Sequence, residues 1–454
     1  MKPHHHTEGP IALISQEPVI RVGIIDRRNH ITGEFEGSFD VDGRPFSGKF
    51  GVTDDNGSLS LVDAEGTVVS RAPEILCRRG EDSMVILHDV TIGVQFHWER
   101  SESQTFRGDL RFIRRADGTV AAVNLIFLEE YLASVTSSEM SPAAPPEFLK
   151  AHTIASRSWI AAMLQREQKN IGIPSQRTRQ SERELIRWYD REDHDLYDVC
   201  ADDHCQRYQG TTKILKGAVT DAVGSTRGVF LVHGGAICDA RFSKSCGGLT
   251  ERYENCWEDT SIPYLQSISD SVHAHDPIRD ERQAKTWIRS LPDAYCHTND
   301  RDLLIRILPA VDQETKDFFR WKQEYRRDDL EEILHARSGI DFGTLMDLTP
   351  VQRGPSGRIV RLKIQGTKKT LVVGKELEIR RWLSPSHLYS SAFVVETGRD
   401  ASGIPQKWVL HGCGWGHGVG LCQIGAAVMA SQGKSAEEIL MHYYRGSELK
   451  RMYS

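Results

Sequence analysis

The sequence predicts an α+β protein with mixed, mostly antiparallel sheet elements, and three features of its patterning predict it. Short alternating segments punctuated by turn residues fill the first 125 or so positions. The apolar period then changes from two to that of a helix near Leu128. From about residue 345 strands return, and the chain closes in helical sequence.

The opening strands are PVIRVGII, GEFEGSFDV, SMVILHDVTIGVQFHW and GTVAAVNLIF, separated by DDNG, AEG and ADG. In LEEYLASVTSSEM, Leu128, Leu132 and Val135 fall at i, i+4 and i+7, one face of a short helix. PPEFLKAHTIASRSWIAAMLQREQ is a second helix. Pro146 suits its first turn, Glu147 its positive end, and Phe148, Ala151, Ala155 and Ala162 form its apolar stripe. A polar, arginine-rich stretch from about 166 to 193 reads as a solvated excursion. LKGAVTDAVGSTRGVFLVHGGAICDARFSKSCGG reads as a short helix, a glycine turn and a hairpin turning at HGG. Residues 276–344 are charged and read as a helical insertion, through ERQAKTWIRSL and FFRWKQEYRRDDLEEILHARSG. LMDLTPVQRGPSGRIVRLKIQG, KKTLVVGKELEIRRWL, SAFVVETG and KWVLHGCGWGHGVGL read as strands, and AAVMASQGKSAEEILMHYY as helix. The chain accordingly divides into an N-terminal β-rich region (1–104), a core in two parts (105–275 and 345–454) and the insertion between them.

Composition narrows the function. The 57 Lys and Arg against 63 Asp and Glu leave a formal charge of -6, so there is no global attraction to nucleic acid or anionic lipid. No run of about 18 apolar residues is present, and MKPHHHTEGP lacks the apolar region of a secretory signal. A membrane span is therefore not expected, and the chain either stays in the cytoplasm or has lost its export segment. Nine cysteines, an odd number, do not form the dense framework of a small secreted scaffold. Cys77, Cys238, Cys256 and Cys296 read as buried small hydrophobes.

Three constellations carry chemistry. Glu139 in SSEMSP ends the first helix, and Arg157 lies on the second. A carboxylate on that turn, between two apolar helices, is expected partly out of water, where it can act as acid and as base. The arginine can orient a carboxylate or a substrate anion, or form a structural ion pair. His194, Cys200, His204 and Cys205 in HDLYDVCADDHC offer four ligands suited to zinc within twelve residues, although the spacing is not that of a standard finger. A Cys200–Cys205 disulfide is the alternative. In HGCGWGHGVGLCQIGA, glycine at every second position from Gly412 to Gly420 lets a ligand or another backbone approach closely. The stretch lacks the Lys and Ser/Thr of a P-loop and the G-x-G-x-x-G of a dinucleotide fold. No organic cofactor is implied.

Together these motifs resemble the SpoIID/LytB family of bacterial sporulation and cell-wall remodelling. LEEYL, SEMSP and KAHTIASRSW match its first helix, EM-P turn and AART-like helix in order and spacing, and CADDHCQRYQG matches its Cys-x-CQ-Y-G segment. SKSCGGLT, GHGVGLCQIGA and HYYRG match its later motifs, so the resemblance covers about 105–270 and 345–454. It implies a peptidoglycan lytic transglycosylase that cuts between N-acetylmuramic acid and N-acetylglucosamine in stem-peptide-free glycan and leaves 1,6-anhydro ends. Glu139 is then the acid and base, and Arg157 falls on the family's helix arginine. Glycan contacts fall on Ser243, Ser245, Gly247 and Gly248 of SKSCGG and on Gly416, His417, Gly418 and Gln423. A structural zinc falls on His194, Cys200, His204 and Cys205. A glycan polymer requires an extended groove, so the helices are expected to frame a long cleft with Glu139 at its floor, outside the cytoplasm. Cys422 and Ile424 depart from the family's Ser and Tyr and put sugar contacts there in question. Two other readings compete: a non-catalytic glycan-binding enhancer of a cell-wall amidase, and a zinc hydrolase using the Cys/His cluster.

Overall fold

The computed structural model describes residues 14–94, 99–168, 177–189, 194–202, 204–212, 217–313 and 318–454. Residues 169–176 and 190–193 of the arginine-rich stretch and the end of the VQFHW segment lie outside the described residues. The described part of that stretch is not a solvated excursion throughout, because Thr178–Gln180 and Glu184–Arg187 are sheet strands and Leu185, Ile186 and Trp188 are buried. The described chain is α+β, as expected from the sequence, and it divides into two compact units.

The first unit comprises 1–157, 191–230 and 451–454. Among its described residues, eleven strands form one sheet. From one edge run Val199–Cys200, Val19–Arg28, Val120–Phe127, Asp109–Arg114, Glu74–Arg79, His30–Val41, Arg44–Asp55, Ser58–Asp63 and Val68–Ala72. Met84–Ile92 pairs with both His30–Val41 and Arg100–Phe106. All these pairings are antiparallel except the edge strand Val199–Cys200, which runs parallel to Val19–Arg28. The DDNG turn works as its sequence suggests: Asn56 and Gly57 take φ of 54° and 94°, the left-handed pair that a two-residue hairpin needs. Phe35 stacks between Phe39 and Phe50, with centroids 4.3 and 4.4 Å away, in the apolar layer under this sheet.

Among its described residues three helices contribute to this unit, one of them the short Gly217–Ser225 and one only as far as Arg157. Helix α1 (Leu128–Glu139) ends where Met140 turns extended, two residues before Pro142. Helix α2 (Pro146–Gln168) starts on its proline, and its stripe of Phe148, Ala151, Ala155 and Ala162 is buried. Thr136 and Thr153 join the two helices through their hydroxyls, 3.1 Å apart.

The second unit comprises 158–190 and 231–450. A five-stranded sheet, from Thr178–Gln180 through Glu184–Arg187, Thr370–Gly374 and Ile359–Gly366 to Leu345–Arg353, accompanies a three-stranded one. The latter places Pro405–Cys413 between Arg320–Arg326 and Phe393–Arg399. Two local expectations are corrected here. FFRWKQEYRR is not helical throughout, because Arg320–Arg326 is a strand that buries Trp321 and Tyr325, a spacing of four that suits either structure. KELEIRRWL is not a strand: Glu376–Trp382 is a helix with Ile379 and Trp382 inward, acids in its first turn and arginines in its last. Trp321, Leu330, Leu334, Leu345, Ile359 and Trp408 share one apolar core, so part of the 276–344 segment is built into this unit.

Candidate active site and metal centre

Glu139 occupies the last position of α1 and is 8% exposed. Its Oε1 accepts a hydrogen bond from the backbone N–H of Arg207 at 2.9 Å. The same short segment lies along the rest of the helix: Tyr131 donates to Gln206 Oε1 at 3.1 Å, and Ser134 Oγ accepts from the Gln209 N–H at 3.0 Å. Tyr208 stacks on Tyr131 with centroids 5.2 Å apart and donates to Asn124 at 2.6 Å. Burial and the charge of Glu130 push the Tyr208 phenol well above its ordinary value, which keeps it a neutral donor. Sequence periodicity showed only the apolar face of α1. Its polar face is also buried, because CQRYQG covers it with matching donors and acceptors.

Arg157 is fully buried, and its partner is Glu129 of LEEYL. Nε and Nη2 donate to the two carboxylate oxygens at 3.0 and 2.6 Å, and Nη1 donates to the Val229 carbonyl at 3.1 Å. Glu129 also accepts from the Gly228 N–H at 3.2 Å and from the Tyr453 hydroxyl at 2.7 Å. This bidentate pair fixes α1 against α2 and the chain's last residues. Glu129 is the residue that sequence reasoning missed. Its spacing from Arg157 carries no signal, since the two lie on different helices.

The four predicted metal ligands converge. Their donor atoms all lie within 4.8 Å of one another. His194 Nε2 is 3.3 Å and His204 Nδ1 is 3.5 Å from Cys205 Sγ. Cys200 is placed by the edge strand, in register with Gly23, and the Asp202 carboxylate pins the next turn by accepting from the N–H groups of Gly93 and Val94 at 3.1 and 2.7 Å. Hydrogen bonding with Cys205, reinforced by His194 and His204, holds the Cys200 thiol well below its ordinary value against the opposing effect of burial. Two sulfurs and two imidazoles at this spacing suit zinc, whose tetrahedral edges are roughly 3.3–3.8 Å for ordinary Zn–N and Zn–S bonds. Cys205 stands two residues before Arg207, so a metal here fixes the chain that holds Glu139.

In the second unit the SKSCGG and GHGVGLCQ motifs are brought together. Phe242 and Ser243 pair in parallel with Leu421 and Cys422, and Ser245 bridges Trp415. The glycine-rich stretch is a wound loop, with φ of 73°, 88°, 75° and 71° at Gly414, Gly416, Gly418 and Gly420. What approaches two of these glycines is the buried Arg358, which donates to the carbonyls of Gly416 at 3.0 Å and of Cys246 at 3.1 Å. A Cβ on Gly418 would stand 2.4 Å from this guanidinium. Gly418→Ala is therefore expected to cost about 1–3 kcal/mol through backbone strain, more with the clash, and to lower the thermal midpoint of the second unit. Ser243, Ser245, Gly247, Gly248, Gly418 and Gln423 are buried, while Gly416 and His417 keep partial exposure. His417 Nδ1 accepts from the Val419 N–H at 3.0 Å, and the ring packs edge-on to Trp257. Burial, with the charges of Arg241, Arg358 and Arg380, holds it well below its ordinary value, so it is a neutral imidazole.

Residues 116–233, which span α1, Glu139, Arg157 and the Cys/His cluster, match the family described as Stage II sporulation protein. The chain thus carries a domain of the SpoIID/LytB family. Residues 251–420 match a domain of unknown function, DUF8618. The chain is 26% identical to stage II sporulation protein D of Bacillus subtilis over 72% of this chain and 76% of that protein. It is likewise 26% identical to an uncharacterized protein of Brachyspira hyodysenteriae, over 76% of this chain and 72% of that one. An amidase enhancer of Bacillus subtilis is 25% identical over half of this chain but only 32% of its own length.

Proposed function

We propose that this SpoIID/LytB member is a peptidoglycan lytic transglycosylase acting on glycan strands outside the cytoplasmic membrane, with Glu139 as its acid and base. The observation that carries the reading is the hold on Glu139: a mostly buried carboxylate at a helix end, oriented by a backbone N–H from the segment that follows the Cys/His cluster. Glu139 protonates the glycosidic oxygen as the C1–O bond breaks. It then takes the proton of the muramic C6 hydroxyl, whose oxygen closes onto C1. One carboxylate gives and regains one proton, and no water enters. Arg157 acts as a positioning residue, since its guanidinium is committed to Glu129. Of the motif residues in the second unit, Gly416 and His417 have the exposure that a glycan contact needs.

His194, Cys200, His204 and Cys205 would hold zinc, which when bound supplies a rigid cross-link. Four protein ligands fill a tetrahedron, so the hydrolase reading loses the open position that water activation requires. Chelation, or Cys205→Ser, is expected to lower glycan cleavage about 10–100-fold while the wild-type pH profile keeps its shape, because the metal positions and does not ionise a reactant. A profile that shifts on metal removal would contradict this.

The reading is tested by incubating denuded glycan strands with wild type and with Glu139→Ala. Cleavage by the first and not the second, with both retaining glycan in pull-down, is the expected outcome. If neither cleaves and both bind, the amidase-enhancer reading replaces it.

A further inference from the structure

The second unit contains another group of metal-type donors, assembled from four separate parts of the chain. Cys246 comes from SKSCGG, Cys422 from GHGVGLCQ, Cys296 from the charged segment 276–344, and Asp270 from the chain between. Their ligand atoms lie within 4.8 Å of one another, and none of the four residues is more than 3% exposed. The Cys246 and Cys296 sulfurs are 3.7 Å apart, about the edge of a zinc–thiolate tetrahedron, roughly 3.8 Å for Zn–S bonds of about 2.3 Å.

Backbone N–H groups face two of the three sulfurs. The Cys246 N–H points at Cys422 Sγ at 3.3 Å, and the Gly248 N–H at Cys246 Sγ at 3.4 Å. Asp270 is oriented on both oxygens: Oδ1 accepts from the Tyr443 hydroxyl at 2.6 Å and Oδ2 from the Cys296 N–H at 3.0 Å. Outer partners of this kind orient ligands at metal sites. Arg320 donates to the carbonyl of Gly247, the residue after Cys246, at 3.1 Å. Four acidic groups packed together out of water are costly as anions unless a cation joins them. Three sulfurs also leave one thiol over from any disulfide.

We infer that Cys246, Cys296, Cys422 and Asp270 form a second, structural zinc site, which staples the charged segment 276–344 to the SKSCGG and GHGVG loops. It is independent of the proposed catalytic reaction and of the Cys/His cluster.

The test uses the full chain with Cys200→Ser and Cys205→Ser, so that the first site is disabled, purified without chelator. Elemental analysis is expected to find about one zinc per chain, lost when Cys296→Ser is added. Should the triple variant fail to fold, the double variant loaded with cobalt decides instead: intense thiolate-to-cobalt charge-transfer bands of a tetrahedral centre are expected. The proposal is overturned by a folded double variant that binds neither zinc nor cobalt, or by a peptide map showing a Cys246–Cys296 disulfide.

Discussion

Glu139→Gln is expected to lower the rate of glycan cleavage by about 10²–10⁴-fold, the usual worth of a positioned acid and base. The amide matches the carboxylate in size and can still accept the Arg207 N–H through its oxygen, so α1 and the CQRYQG segment keep their arrangement. What it loses is the proton that must go to the leaving oxygen and return from the C6 hydroxyl. Glycan affinity is expected to stay within a few-fold of wild type, and circular dichroism and the thermal midpoint to stay unchanged. A variant that cleaves at near wild-type rate would remove Glu139 from the chemistry. One that loses binding and stability together would make it a structural residue.

The second large effect falls on the pair behind the site. Arg157→Ala leaves the Glu129 carboxylate buried beside the Val229 carbonyl without its cation, and breaking such a pair typically costs about 3–5 kcal/mol. The loss is expected in the first unit's unfolding transition, followed by urea titration. Glu129→Gln in the Arg157→Ala background is expected to recover a large part of it, because no uncompensated charge then remains. That non-additivity separates a structural ion pair from an arginine that meets substrate, for which Glu129→Gln would restore nothing. Arg157→Lys is not a conservative control here, since it replaces the two parallel hydrogen bonds of the fork by a point charge.

The legible parts of this protein were those whose signal is local. Turns such as DDNG announce the strands on either side because only particular residues tolerate their backbone angles, and Asn56 and Gly57 take those angles. The α1–turn–α2 unit was legible from apolar spacing and proline placement, and His194, Cys200, His204 and Cys205 from proximity along the chain. What could not be read was pairing between distant segments. The strand Arg320–Arg326 and the helix Glu376–Trp382 have spacings compatible with either structure, and packing of Trp321, Ile379 and Trp382 into one shared core decides between them. Glu129 finds Arg157 across 28 positions, and Cys296 meets Cys246 across 50. The alternating glycines pointed to a close approach but read as a strand, whereas Gly414 to Gly420 take left-handed angles and wind into a loop after Cys413. That the approaching group at Gly414 and Gly418 is a buried guanidinium depends on Arg358, far away in sequence.

The measurement that bears most directly on the central claim is product analysis of denuded glycan strands cut in heavy-oxygen water. If the muramic C6 hydroxyl is the nucleophile, every new muramic end is a 1,6-anhydro end, one water lighter than a reducing end and free of solvent oxygen. Reducing ends carrying the heavy isotope would show that water attacks C1, and the transglycosylase account of Glu139 would be wrong.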